Sequence, residues 1–311
     1  MKSIIIDTDP GVDDAMAILF ALKSPELTVA GLTTVYGNHY IDVTTRNALR
    51  LLELAGRPDI PVARGATGPL LRPYRDPPTF VHGEDALGDA GLAGESRLRP
   101  VTVSAAEFIV ETVMAHPGAI TLVPIGPLTN IALAYKLEPR IAQAVQQVVL
   151  MGGTMVAPGN VSPVAEANVH NDPEAAAIVF GAPWPVVMVG LDVTTAIVMD
   201  AAYLRDLEAA HTPYTDLIAR MIPVYQKYHD EHYGMKGGMH THDPSAIAYV
   251  LDPTLFRTVH HRVRIPVAGY ADGMIIADRL AQWYDGPATE ICTGVDAPRL
   301  LQLYREQITA S

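Results

Sequence analysis

The feature that most constrains this chain is a strand that runs straight into carboxylates. Ser3 to Ile6 is a short run rich in isoleucine, and Asp7-Thr8-Asp9-Pro10-Gly11-Val12-Asp13-Asp14 follows at once. The run reads as a buried strand and Pro10-Gly11 as a turn; Ile18, Leu19 and Leu22 supply helical spacing from Asp13 onward. Four carboxylates therefore meet where a strand's C-terminal end turns into a helix N-terminus. The helix dipole stabilises an anion there by roughly 0.3–1 kcal/mol. That is too little to offset the repulsion among four, so a cation belongs beside them. Oxygen donors with no cysteine nearby select a hard ion, calcium or magnesium. In an open α/β sheet this same edge is where ligands bind.

An EF-hand loop starting at Asp7 would need Gly at its sixth position and Glu at its twelfth. Val12 and Ile18 stand there, which excludes it.

The rest of the chain bounds the answer further. Its 311 residues can bury a large core, and a net charge of −12 argues against a nucleic-acid or membrane surface as partner. Cys292 is the only cysteine, so no intrachain disulfide forms and a reducing cytoplasm is the expected compartment. No basic and apolar leader precedes the first strand, and Pro183 and Pro185 interrupt the most apolar run.

Strands and helices alternate. Strands are expected at 27–35, 61–63, 120–124, 148–151, 186–191, 257–266 and 290–293. Helices are expected at 42–55, closed by Gly56, at 104–116, where Ser104 and Glu107 form a capping box, and at 200–210 and 213–229. Asp172 and Asp296 cap two more, each with a proline in the first turn. This pattern predicts a single α/β domain over 1–311, an open, mostly parallel sheet flanked by helices.

Three further stretches offer chemistry. The Pro- and Gly-rich segment 65–100 contains His82-Gly83-Glu84-Asp85 and reads as a binding loop. Asn160, Glu166 and Asn168 lie in a predicted loop after the strand at 148–151 and offer the directional donors and acceptors that sugar hydroxyls need. His229, His232-Tyr233-Gly234, Gly237-Gly238 and His240-Thr241-His242-Asp243-Pro244 form the third, which ends by opening a helix.

Asp7-Thr8-Asp9-Pro10-Gly11-Val12-Asp13-Asp14-Ala15 resembles the N-terminal signature of the inosine–uridine nucleoside hydrolase family. The other stretches match that family in order along nearly the whole chain, with two departures: Ala86 where a second Gly is usual, and Ala167 where an aromatic is usual. The resemblance implies a Rossmann-like core and a cytoplasmic homo-oligomer, a tetramer or dimer. It also implies calcium-dependent hydrolysis of the N-glycosidic bond of ribonucleosides, giving free base and ribose for salvage. Carried over by position, it makes Asp9, Asp14, Asp243 and the Ile125 carbonyl the calcium ligands, and Asp9 the base toward water. It makes Asp13, Asn38, Asn160, Glu166 and Asn168 the ribose contacts, and His242 and His82 the candidates for protonating the leaving base. Tyr233 and His229 are the expected base-side contacts, with purine or pyrimidine preference left open. Two other readings compete. A haloacid-dehalogenase-type phosphatase would use Asp7 as nucleophile with magnesium, although Gly11 stands where it wants Thr or Val. A calcium-dependent ribose-binding protein would bind without cleaving.

Overall fold

Ile4, Ile5 and Ile6 are fully enclosed in the computed structural model, which describes residues 1–74, 76–92 and 96–310. Burial on both faces is the signature of a strand inside a parallel sheet. Ile4 and Ile6 face one core with Met16, Leu19 and Phe20, while Ile5 faces another with Ile109, Leu122 and Leu150. In chain order the strands are β1 (Lys2–Thr8), β2 (Leu27–Thr34), β3 (Val62–Arg64), β4 (Ile120–Pro124), β5 (Gln147–Met151), β6 (Val186–Val189), β7 (Val198–Met199), β8 (Met239–His240), β9 (Phe256–Arg264), β10 (Ile276–Ala277) and β11 (Ala288–Val295). Nine of them form one sheet in the order β10-β9-β11-β6-β5-β4-β1-β2-β3, and β7 pairs separately with β8. From β3 to β11 every pairing is parallel; β9 and β10 add the antiparallel edge. The expected open, mostly parallel sheet is the observed one.

Strand order reverses at β1. The chain moves outward through β2 and β3, then crosses back to place β4 on the other side of β1. Such a switch point leaves a crevice beyond the C-terminal strand ends. Register levels its floor: Asp7 lies beside Thr33 of β2 and Pro124 of β4.

Some local expectations change. Asn168 is not in a loop: it lies in a short helix, Ala167–Asn171, which Glu166, the last residue of the loop, N-caps with its carboxylate. A carboxylate that satisfies free N–H groups can start a helix in a segment with little periodicity. The strand predicted to reach 191 ends at Val189, because Gly190 starts the helix Leu191–Thr194. The helix predicted over 213–229 extends to Tyr233 and ends on Gly234, whose φ of 66° is the left-handed cap glycine favours. Positions 75 and 93–95 of the predicted binding loop lie outside the described residues. Among the described residues no helix is long and apolar enough to cross a membrane.

Candidate active site

The turn after β1 folds its carboxylates inward. Asp14, in the first turn of the helix Val12–Lys23, accepts the Gly11 N–H at 3.1 Å and the Asn38 side-chain amide at 2.9 Å on one oxygen. Its other oxygen takes the Thr8 hydroxyl at 2.6 Å and the Asp9 N–H at 3.1 Å. Asp9 Oδ2 accepts the Asn38 N–H at 2.6 Å, whereas Asp9 Oδ1 is buried with no partner among the described residues. Two glycines make room for this side chain. A Cβ on Gly126 would stand 2.5 Å from Asp9 Oδ1, and one on Gly37 would collide with Asp9 Oδ2.

Asp243 comes from the far end of the chain and closes the nest. Oxygens of Asp13, Asp14 and Asp243 all lie within 4.8 Å of one another, and all three residues are buried. Asp9, expected as a ligand, is outside this triad, and Asp13, expected as a sugar contact, is inside it. Among the described residues no Lys or Arg pairs with any of the four; His82 Nδ1 lies 4.0 Å from Asp13 Oδ1. Burial raises all four carboxyl pKa values, and for Asp9, Asp13 and Asp243 the neighbouring carboxylates push further in the same direction; Asp13 is driven up to about 7. A buried, mutually repelling set of oxygen donors, one of them unpartnered, fits a hard divalent cation.

A cavity of about 150 Å³ opens beside the nest. Asp13, Asn38, Ile125, Asn160, Glu166, Asn168 and Asp243 line it, together with His82, His229, Tyr233 and His242. The topology thus gathers the expected site residues round one space, except Asp9 and Asp14, which are not part of its lining. Their roles divide. Glu166 accepts N–H groups from Gly153, Asn168 and Val169 at 2.8–3.1 Å. Asn168 donates to the Ile125 carbonyl at 2.8 Å, tying the edge of β4 to the short helix. Asn160 is exposed and accepts the Ala167 N–H at 3.0 Å.

Sequence reasoning missed Tyr225 and Tyr228. Both line the cavity, and the Tyr225 hydroxyl donates to Asp13 Oδ2 at 3.2 Å. The signal was present: Tyr225, Tyr228, His229 and Tyr233 repeat at helical spacing, so one face of the helix Pro213–Tyr233 carries all of them. The Tyr225 ring stacks on His82 at 5.3 Å and meets His229 at 4.4 Å. Burial pushes His82 down to about 3 and His229 to about 4, and it holds His242 well below its ordinary value. These imidazoles are neutral at physiological pH. The cavity lining combines carboxylates and amides with aromatic rings.

That combination suits a sugar and a planar base, and comparison with known proteins agrees. The model of the inosine-uridine preferring nucleoside hydrolase family matches residues 4–302. The chain belongs to this family. A probable uridine nucleosidase of Arabidopsis thaliana is 40% identical, with 100% of this chain and 98% of that protein aligned. A pyrimidine-specific ribonucleoside hydrolase of Salmonella gallinarum is 39% identical over 98% of this chain and 97% of its own length. Among solved structures, a plant nucleoside hydrolase superposes with a TM-score of 0.94 at 38% identity, covering 100% of this chain and 99% of that one. This nucleoside hydrolase cleaves the N-glycosidic bond of ribonucleosides with water. Neither competing reading gains support. Asp7, the nucleophile a phosphatase would need, is fully buried away from the cavity lining, with Oδ1 held by Thr33 and Asn130 at 2.5 and 2.8 Å.

Proposed function

We propose that this nucleoside hydrolase works with calcium in the carboxylate nest, uses Asp9 as the base toward water, and prefers pyrimidine ribonucleosides. One observation carries the reading: among the described residues, four buried carboxylates at the switch point of the sheet have no cationic side chain beside them, and one oxygen of Asp9 has no partner. Asp14 and Asp243 belong both to the ligand set implied by resemblance and to the observed triad, so they are the proposed anchors. Asp9 and the Ile125 carbonyl complete the set. When bound, calcium supplies charge that neutralises the nest and an oxophilic centre for sugar and water oxygens.

The protein's own groups do the rest. Asp9, with Oδ2 fixed by Asn38, keeps Oδ1 free to accept a proton from water. Asp13, Asn38, Asn160, Glu166 and Asn168 orient the ribose, and the carboxylates favour the cationic, oxocarbenium-like transition state over the neutral substrate. Tyr225, Tyr228, His229 and Tyr233 surround the base, and His242 or His82 delivers its proton. The pyrimidine preference rests on the uridine and pyrimidine specificities named for relatives about as similar as 40% and 39%.

The test is a product assay over uridine, cytidine, inosine and adenosine, scored for free base and ribose, with and without chelator. Uridine and cytidine should turn over fastest, and chelation should abolish turnover until calcium is restored. Full activity after chelation, or faster purine turnover, overturns the corresponding part.

A further inference from the structure

The peptide between Gly37 and Asn38 is held at both ends. Its N–H, on Asn38, donates to Asp9 Oδ2 at 2.6 Å, and its carbonyl, on Gly37, accepts the phenolic O–H of Tyr74 at 2.8 Å. Hydrogen bonds linked through one peptide polarise each other, so a donor on the carbonyl strengthens the N–H. The Tyr74 ring has little freedom: it meets Tyr36 edge-on at 4.9 Å and Tyr40 at 5.4 Å. Burial raises its phenol pKa, which keeps the donor protonated. The segment that delivers it is anchored two residues earlier, where Arg72 pairs with Glu174 at 2.8 Å and Asp272 at 2.7 Å. A tyrosine 65 positions beyond Asp9 in the sequence thus reaches the same peptide that grips the Asp9 carboxylate.

We infer that Tyr74 is a positioning residue for the reaction: through the Gly37–Asn38 peptide it fixes the Asp9 carboxylate with Oδ2 engaged and Oδ1 free. The inference rests on the proposed role of Asp9 as base. The competing role for Tyr74 is packing alone, in which its ring matters and its hydroxyl does not. Tyr74→Phe separates the two, because it keeps the ring and removes only the donor.

The experiment measures kcat, KM and melting temperature of the full-length protein on uridine, for Tyr74→Phe, Asp9→Asn, the double variant and Tyr40→Phe. A neutral hydrogen bond is worth about 0.5–1.5 kcal/mol, so Tyr74→Phe is expected to lower kcat roughly 2- to 10-fold while KM stays within about twofold. Tyr40→Phe, which keeps the ring that packs on Tyr74, should behave as wild type. In the Asp9→Asn background, Tyr74→Phe should cause no further loss, since the two act through one carboxylate. That cycle holds whether or not the melting temperature moves. An unchanged kcat in Tyr74→Phe beside a crippled Asp9→Asn overturns the inference and leaves the base assignment standing, as does an equal loss in both backgrounds. A fully active Asp9→Asn instead overturns the base assignment on which the inference rests.

Discussion

The backbone N–H of Val12 donates to Nδ1 of His82 at 3.2 Å. An amide can only donate, so Nδ1 is the bare nitrogen and the proton sits on Nε2. The turn that carries the carboxylates therefore also sets the tautomer of an imidazole 70 positions away in sequence. His242 is held differently, with Nδ1 2.8 Å from the Thr194 hydroxyl. Both rings are kept neutral by burial, so neither enters the reaction as a standing cation. A proton for the departing base has to be gained or relayed once substrate is bound.

The first test follows from that. Leaving-group protonation matters only when the base leaves poorly. His242→Ala and His82→Ala are expected to lose roughly 10²–10⁴-fold on natural nucleosides, the range for a lost general acid. On p-nitrophenyl riboside, whose leaving group needs little proton help, the same variants should keep most of their activity, with the split larger at His242. Equal losses on both substrates would mean that the histidines hold the site together instead.

Metal dependence should carry a pH signature. Asp13 is raised by burial and by Asp14 to about 7, above its unfolded value of 3.8, so the metal-free fold binds more protons than the unfolded chain in that window. Its contribution to stability is present at low pH and is lost as pH rises through about 7. A cation displaces those protons, so stabilisation by calcium should grow between about pH 5 and about pH 8. Melting temperatures with calcium and with chelator across that range check this. A calcium-induced shift that is flat, or that grows on acidification, would count against the carboxylate nest as the metal site.

Sugar discrimination should be steep. A site built round both ribose hydroxyls leaves buried polar groups unpaired when one is missing, a loss that reaches ~10⁴-fold or more. Uridine and 2′-deoxyuridine compared by kcat/KM decide it; comparable values would contradict a nest that grips the 2′ position.

Arg72 offers a test of the scaffold rather than of the chemistry. It bridges Glu174 and Asp272, and all three side chains are only 16–21% exposed. Arg72→Met keeps much of the stem but strands two half-buried carboxylates, and it is expected to cost about 2 kcal/mol by chemical denaturation. Loss within about 0.5 kcal/mol would place the bridge among ordinary surface pairs.

The chain's local patterns determined its architecture and the address of its site. β-branched runs and helical spacing recur every few residues, so the parallel sheet, the capping box at Ser104 and Glu107, and the helix opened by Asp172 and Pro173 were legible without a structure. So was the crowding of Asp7, Asp9, Asp13 and Asp14, because repulsion among adjacent carboxylates needs no fold to be recognised. Tertiary structure decided which oxygen faces what. The gathering of Asp13 with Asp14 and Asp243, the stacking of Tyr225 on His82 and the reach of Tyr74 to Gly37 all join segments distant in sequence. Those contacts depend on strand register at the switch point and on how the helix Pro213–Tyr233 lies over the crevice. The same packing removes water from the imidazoles and carboxylates and so sets their protonation. Periodicity encodes which face of an element is buried; it does not encode what another element brings to that face.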